Sequence, residues 1–238
     1  MTGVQTCALP ICARVATGEL EEASKLFERA QYRLPLPDTA AALGDLYQKL
    51  GRADAAKRQH ELVEFIDQNS AASGTYSRQL AMFWADHDEK LDQALAIAQK
   101  ERSTRQDIYT CDALAWILYK NDRLEEAKKS IAEALRLGTR DARLYYHAGM
   151  IYNELGDRQS AVRYLTLALQ TNPTFDVLQA ELAKKSLGAL KYGHEAPQCS
   201  KRGDLNAMRK LLEAHRYLVN ARSETEDVTP ASPAHLVA

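Results

Sequence analysis

In four places along this chain an apolar residue, a small residue and a second apolar residue recur with one spacing. They are Leu43-Gly44 with Tyr47, Leu80-Ala81 with Trp84, Leu114-Ala115 with Leu118, and Ala148-Gly149 with Tyr152. Intervals of three and four place such residues on one face of an α-helix. A second signature follows in step with the first. Five alanines, Ala23, Ala56, Ala94, Ala127 and Ala161, are separated by 33, 38, 33 and 34 residues. Each anchors a second apolar face, as in Ala23, Phe27 and Ala30, or Ala161, Leu165 and Ala168. Between the two signatures stand Gly51, Asp122 and Gly156, with Gly18 ahead of the first alanine. A glycine there suits the left-handed residue that ends a helix, and Asp122 does the same job less well. The pattern predicts helix pairs repeated in tandem. Gly44, Ala81, Ala115 and Gly149 notch the first helix of each pair, and the five alanines notch the second, so the two can approach closely.

These features together resemble the tetratricopeptide repeat family: a period near 34 residues, Leu-Gly-x-x-Tyr, the glycine turn, the alanine of the second helix, and a closing proline at Pro35 and Pro173. The resemblance covers roughly Glu19–Leu190. Within it, Asp107–Leu190 also resembles bacterial repeat proteins of unassigned role. The implied fold is all-α, a right-handed α-solenoid of tandem antiparallel helix pairs. Its units are a half at 19–35, then 36–70, 71–106, 107–140 and 141–174, with a capping helix at 175–191. The half unit is a second helix, Glu19–Gln31, without its first partner. The 38-residue interval is assigned to a polar linker, Asp67–Gly74, and one extra residue within Asp86–Lys90.

Outside residues 13–192 the pattern stops. Thr2–Ile11 resembles the translation of a common short-read sequencing adapter. On that reading 1–12 is an artefactual leader, the natural N-terminus is missing, and Cys7 carries no meaning. Residues 193–238 are expected to form a linker, a short helix at 204–221 and a disordered tail rich in Pro, Ser, Thr and acidic residues.

Composition removes several functions. A formal net charge of −1 gives no pull toward nucleic acid, and no apolar run approaches a membrane-spanning length. The four cysteines form neither a CxxC pair nor a disulfide framework. There is no phosphate-cradling glycine loop and no nucleophile setting, so no enzyme and no cofactor are expected. Asp86-His87-Asp88 has the look of a metal trio, but reads as a solvated turn between paired helices, and no metal is expected.

What the resemblance does imply is a protein or peptide partner, held on the face lined by the first helix of each pair. The candidate groove residues are Tyr109, Asp112, Trp116, Tyr119 and Lys120, then Arg143, Tyr146, Met150 and Asn153, because aromatic and arginine side chains dominate binding hot spots. Upstream, the same face carries Asp38, Asp45, Gln48 and Lys49, then Thr75, Arg78 and Met82. Chaperone-tail binders in the family grip a terminal carboxylate with lysine and asparagine. Here that surface offers Ala41, Asp45, Gln48 and Arg78, and Asp45 would repel it. Two other roles are weighed beside partner binding: a self-associating scaffold, and a regulatory repeat segment of a larger protein.

Overall fold

Turn chemistry sets the architecture. In a computed structural model, which describes residues 11, 13–70 and 77–192, helices α2 (Pro37–Lys49), α4 (Ser77–Asp86), α6 (Ile108–Lys120) and α8 (Ala142–Glu154) all end in one way. The second residue past each is left-handed: Gly51 at φ 73°, Asp88 at 55°, Asp122 at 59° and Gly156 at 75°. The next backbone N–H, of Arg52, Glu89, Arg123 or Asp157, donates to the carbonyl of Tyr47, Trp84, Leu118 or Tyr152 at 2.8–2.9 Å. This is the closing hydrogen bond of a Schellman motif. Its acceptor is the last residue of the sequence signature, so the aromatic position and the turn are one unit.

The chain then reverses into α3 (Ala53–Ser70), α5 (Leu91–Thr104), α7 (Leu124–Ala134, followed by a 3-10 turn at Leu135–Leu137) and α9 (Arg158–Thr171). Each packs on the helix before it, as the short turns require. After Asp88 one further residue intervenes, and Lys90 also takes a left-handed φ of 42°. That is the extra residue anticipated within Asp86–Lys90. First helices are started by what precedes them. Pro37 opens α2, while the carboxylates of Asp107 and Asp141 accept the free N–H groups at the start of α6 and α8.

All five repeat alanines are buried, as are Ala81 and Ala115. Gly44 and Gly149 sit where helices touch: a Cβ on Gly149 would stand 2.7 Å from Leu165 Cγ and 3.0 Å from the Leu165 backbone nitrogen. Among the described residues there is no strand, and no helix is long and apolar enough to cross a membrane.

Three boundaries are corrected. Helix α1 (Leu20–Arg33) does have company, because residues 13–16 are helical and Val15 packs with Leu20, Ala23 and Phe27. The Glu19 N–H reaches the Arg14 carbonyl at 2.9 Å, with Gly18 at φ 78°, repeating the turn of the later pairs. The anticipated linker at 67–74 begins as helix, since α3 runs to Ser70; residues 71–76 lie outside the described ones. The last described helix, α10 (Gln179–Tyr192), starts later than 175 because Asp176 Oδ1 accepts the N–H groups of Leu178 and Gln179, both at 2.9 Å. The chain divides into two units, Met1–Lys191 and Tyr192–Ala238. The anticipated helix at 204–221 and tail lie outside the described residues, as do Thr75, Cys7, Cys12 and Cys199.

Candidate functional site

First helices α2, α4, α6 and α8 neighbour one another and line an inner face. Its open part is a recess of about 580 Å³ whose wall includes Asp38, Arg78, Met82, Tyr109, Arg143 and Phe175. The chain itself occupies the adjoining part. From Phe175 onward it turns onto this face: Arg143 pairs with Asp176 at 3.1 Å, and Gln179 Nε2 donates to Asp86 Oδ1. Lys49 reaches both Glu181 and the Val177 carbonyl. Val177 is buried with Ala23 and Leu46, and Ala183 joins the core that holds Trp116 and Tyr146. The last described helix therefore reaches over part of the inner face, while its far end meets Arg158 at the start of α9.

That covering decides which groove candidates can be touched. Tyr109 is 48% exposed, and Arg143 is also exposed. Tyr119, Lys120, Met150 and Asn153 are half-buried. Trp116 and Tyr146, expected on the surface, are buried at 2% and 1% exposure, and Asp112 is buried with them. The correction has a physical cause. Trp116 stacks between His147 at 4.3 Å and Tyr119 at 5.0 Å, and its indole N–H donates to Asp86 Oδ1 at 2.7 Å. Tyr146 packs against Phe175 at 5.3 Å, and burial pushes its hydroxyl pKa upward. Asp112 is engaged by His147 Nδ1 at 2.9 and 3.0 Å, a pair fully inside the protein. Of the upstream set, Gln48, Lys49 and Asp38 are exposed, Arg78 and Met82 half-buried, and Asp45 buried.

Electrostatics here hold the segment in place. Burial raises the Asp86 carboxyl pKa, while the nearby Arg143 guanidinium opposes that rise. The same guanidinium loses hydration, but Asp176, Asp86, Asp38 and Asp112 surround it and keep it charged. Arg140, in the recess wall, was not anticipated; no hydrophobic pattern marks an exposed arginine in an interhelical loop.

The Asp86-His87-Asp88 trio does not converge. Asp86 faces Trp116 and Gln179, whereas Asp88 pairs with Lys120 at 2.7 Å. His87 turns the other way, to Asp45 Oδ1 at 2.8 Å. Burial alone would lower its pKa, but the hydrogen bond and charge of Asp45 carry it up to about 9. His60 lies on the same carboxylate, a grouping that no local spacing announces. The one described cysteine, Cys111, is buried, and burial raises its thiol pKa, opposite to what a reactive thiol needs.

A tetratricopeptide repeat family model matches residues 108–137 and 142–175, which are the pairs α6–α7 and α8–α9 with the turns that follow. Those two stretches are tetratricopeptide repeats. No curated protein matches the chain. Tetratricopeptide repeats generally mediate protein–protein interaction and are typically not enzymes, so the expected partner is a protein. The two matched repeats supply Tyr109, Arg143 and Phe175, and the loop between them supplies Arg140, to the wall of the recess.

Proposed function

We propose that this tetratricopeptide array is an interaction module that takes an extended peptide segment of a partner into the inner-face recess. The observation behind this is the recess itself: open, about 580 Å³, and lined by the exposed Tyr109 ring between guanidinium and carboxylate groups. Exposed aromatic and arginine side chains at the centre of a concave surface are what binding hot spots are made of. An aromatic or aliphatic anchor on the peptide would lie against Tyr109 and Met82, with acidic neighbours meeting Arg140. The test is to select binders from a random peptide library on the full chain, then measure them against Tyr109→Ala and Arg140→Glu. Both side chains are exposed, so the unfolding midpoint should not move, while affinity falls roughly ten-fold or more. Selected peptides that bind both variants at full strength would place the site elsewhere.

A second reading, self-association, has its own observation. Tyr32 at the end of α1 is 93% exposed and Leu34 just beyond it is 59% exposed, an unusual pair of bare apolar side chains. If they join two copies, light scattering shows mass rising with concentration, and Tyr32→Glu abolishes the rise. A concentration-independent monomer removes this reading. A regulatory role within a larger protein would employ the same recess.

A further inference from the structure

Asp45 on α2, His60 on α3 and His87 just past the end of α4 turn their donor atoms toward one point. His87 Nε2 is 2.8 Å and His60 Nε2 3.5 Å from the same oxygen, Asp45 Oδ1. The three donor atoms all lie within 4.8 Å of one another. A tetrahedral zinc ion, with bonds of roughly 2.0–2.2 Å, sets its ligand atoms about 3.3 Å apart. The observed separations bracket that value, so small side-chain shifts would complete the geometry.

The hydrogen bonding around the cluster agrees. His87 Nδ1 faces the Phe83 carbonyl at 2.8 Å, which makes Nδ1–H the donor and directs Nε2 at Asp45. A backbone carbonyl on the far nitrogen is how metal-bound imidazoles are oriented. His60 Nε2 is buried and has no hydrogen-bond partner, since 3.5 Å is too long for an ordinary one. Buried polar atoms left in that state are exceptional and call for a specific cause.

His60 also breaks the repeat. Counted from the repeat alanine, its position is held by Phe27, Ile131 and Leu165 in other units. The imidazole fits only because its neighbour is Gly44, where a Cβ would stand 2.3 Å from His60 Cδ2 and 2.5 Å from Nε2. Access exists as well: a recess of about 600 Å³ has His60, His87, Glu64 and Glu89 in its wall.

We propose that Asp45, His60 and His87 bind one divalent transition-metal ion of the zinc class, with water as fourth ligand, tying α2 and α3 to the end of α4. The donors are two imidazoles and a carboxylate, a set that suits zinc better than calcium or magnesium. The ion would brace the joint between the first two full repeats.

The full chain, stripped with a chelator, is titrated with cobalt(II) as spectroscopic probe and then with zinc. One equivalent of cobalt should give tetrahedral visible bands without a thiolate-to-cobalt charge-transfer band, and zinc should displace it and raise the melting temperature. His60→Gln and His87→Gln should each weaken zinc binding by about 100-fold or more. Gly44→Ala keeps all three ligands but pushes the His60 ring aside, and should weaken it by roughly ten-fold. A thiolate band, zinc affinity unchanged in a folded His60→Gln protein, or no zinc binding by the unaltered chain would each overturn the proposal. Because the cobalt spectrum is read on the unaltered chain, the test holds even for a variant that fails to fold.

Discussion

Trp116→Ala should lower the unfolding free energy by about 3–5 kcal/mol, read as a fall in the urea midpoint with an unchanged slope. The reason lies in what the ring touches. It is 2% exposed, stacked between His147 and Tyr119, and covered by the ammonium of Lys120 at 5.3 Å. Truncation removes a large buried surface and opens a cavity that two rigid helices cannot close. It also removes one of the two side-chain donors on Asp86, leaving Gln179 to hold a half-buried carboxylate. Trp116→Phe separates these effects: it keeps a stacked ring but loses the N–H, and should cost about 1–3 kcal/mol. Were Trp116→Ala instead as stable as the parent and only weaker toward selected peptides, the indole would be a contact surface, and the covering by α10 would not persist in solution.

The second large effect is expected at Gly149, where α8 lies against α9. Gly149→Val should destabilise by about 3 kcal/mol, the upper end of overpacking costs. Its Cβ would meet Leu165 at 2.7 and 2.8 Å, and the Leu165 backbone nitrogen at 3.0 Å. A side chain can swing away, but a backbone cannot, so the two helices must separate along the pair. The paired control is Gly188→Ala in α10, where nothing lies within 4 Å of the added methyl. That change should stabilise by about 0.5–1 kcal/mol through helix propensity alone. Equal effects at the two glycines, read from the same denaturation curves, would mean that close helix approach is not what Gly149 provides.

The same two residues show what could be read from the chain alone. Gly149 was legible as a notch because its role is local: a small residue one turn before a large apolar one, repeated at Gly44, Ala81 and Ala115, states that a partner helix comes close. The turns were legible for the same reason. Left-handed residues at Gly51, Asp122 and Gly156 follow from steric rules that act on one residue. Even the additional residue at Lys90 could be inferred, because a repeat converts one insertion into a change of interval.

Trp116 was not legible in that way. A tryptophan on the first helix of a repeat looks the same whether its face meets water or another part of the chain. Its burial was decided by residues far away in sequence: Asp86, His147, and the segment Asp176–Ala183 that turns back onto the inner face. The cluster of Asp45, His60 and His87 is equally long-range, since its donors come from three separate elements and Gly44 alone hints that something bulky lies near. Sequence by itself therefore determined the repeat, the pairing of helices and the turns, because each rests on nearest-neighbour sterics and a periodic apolar face. Tertiary structure alone decided which of those faces stay open, because a helix's solvent exposure depends on what packs across it, and here the last described helix covers part of the inner face.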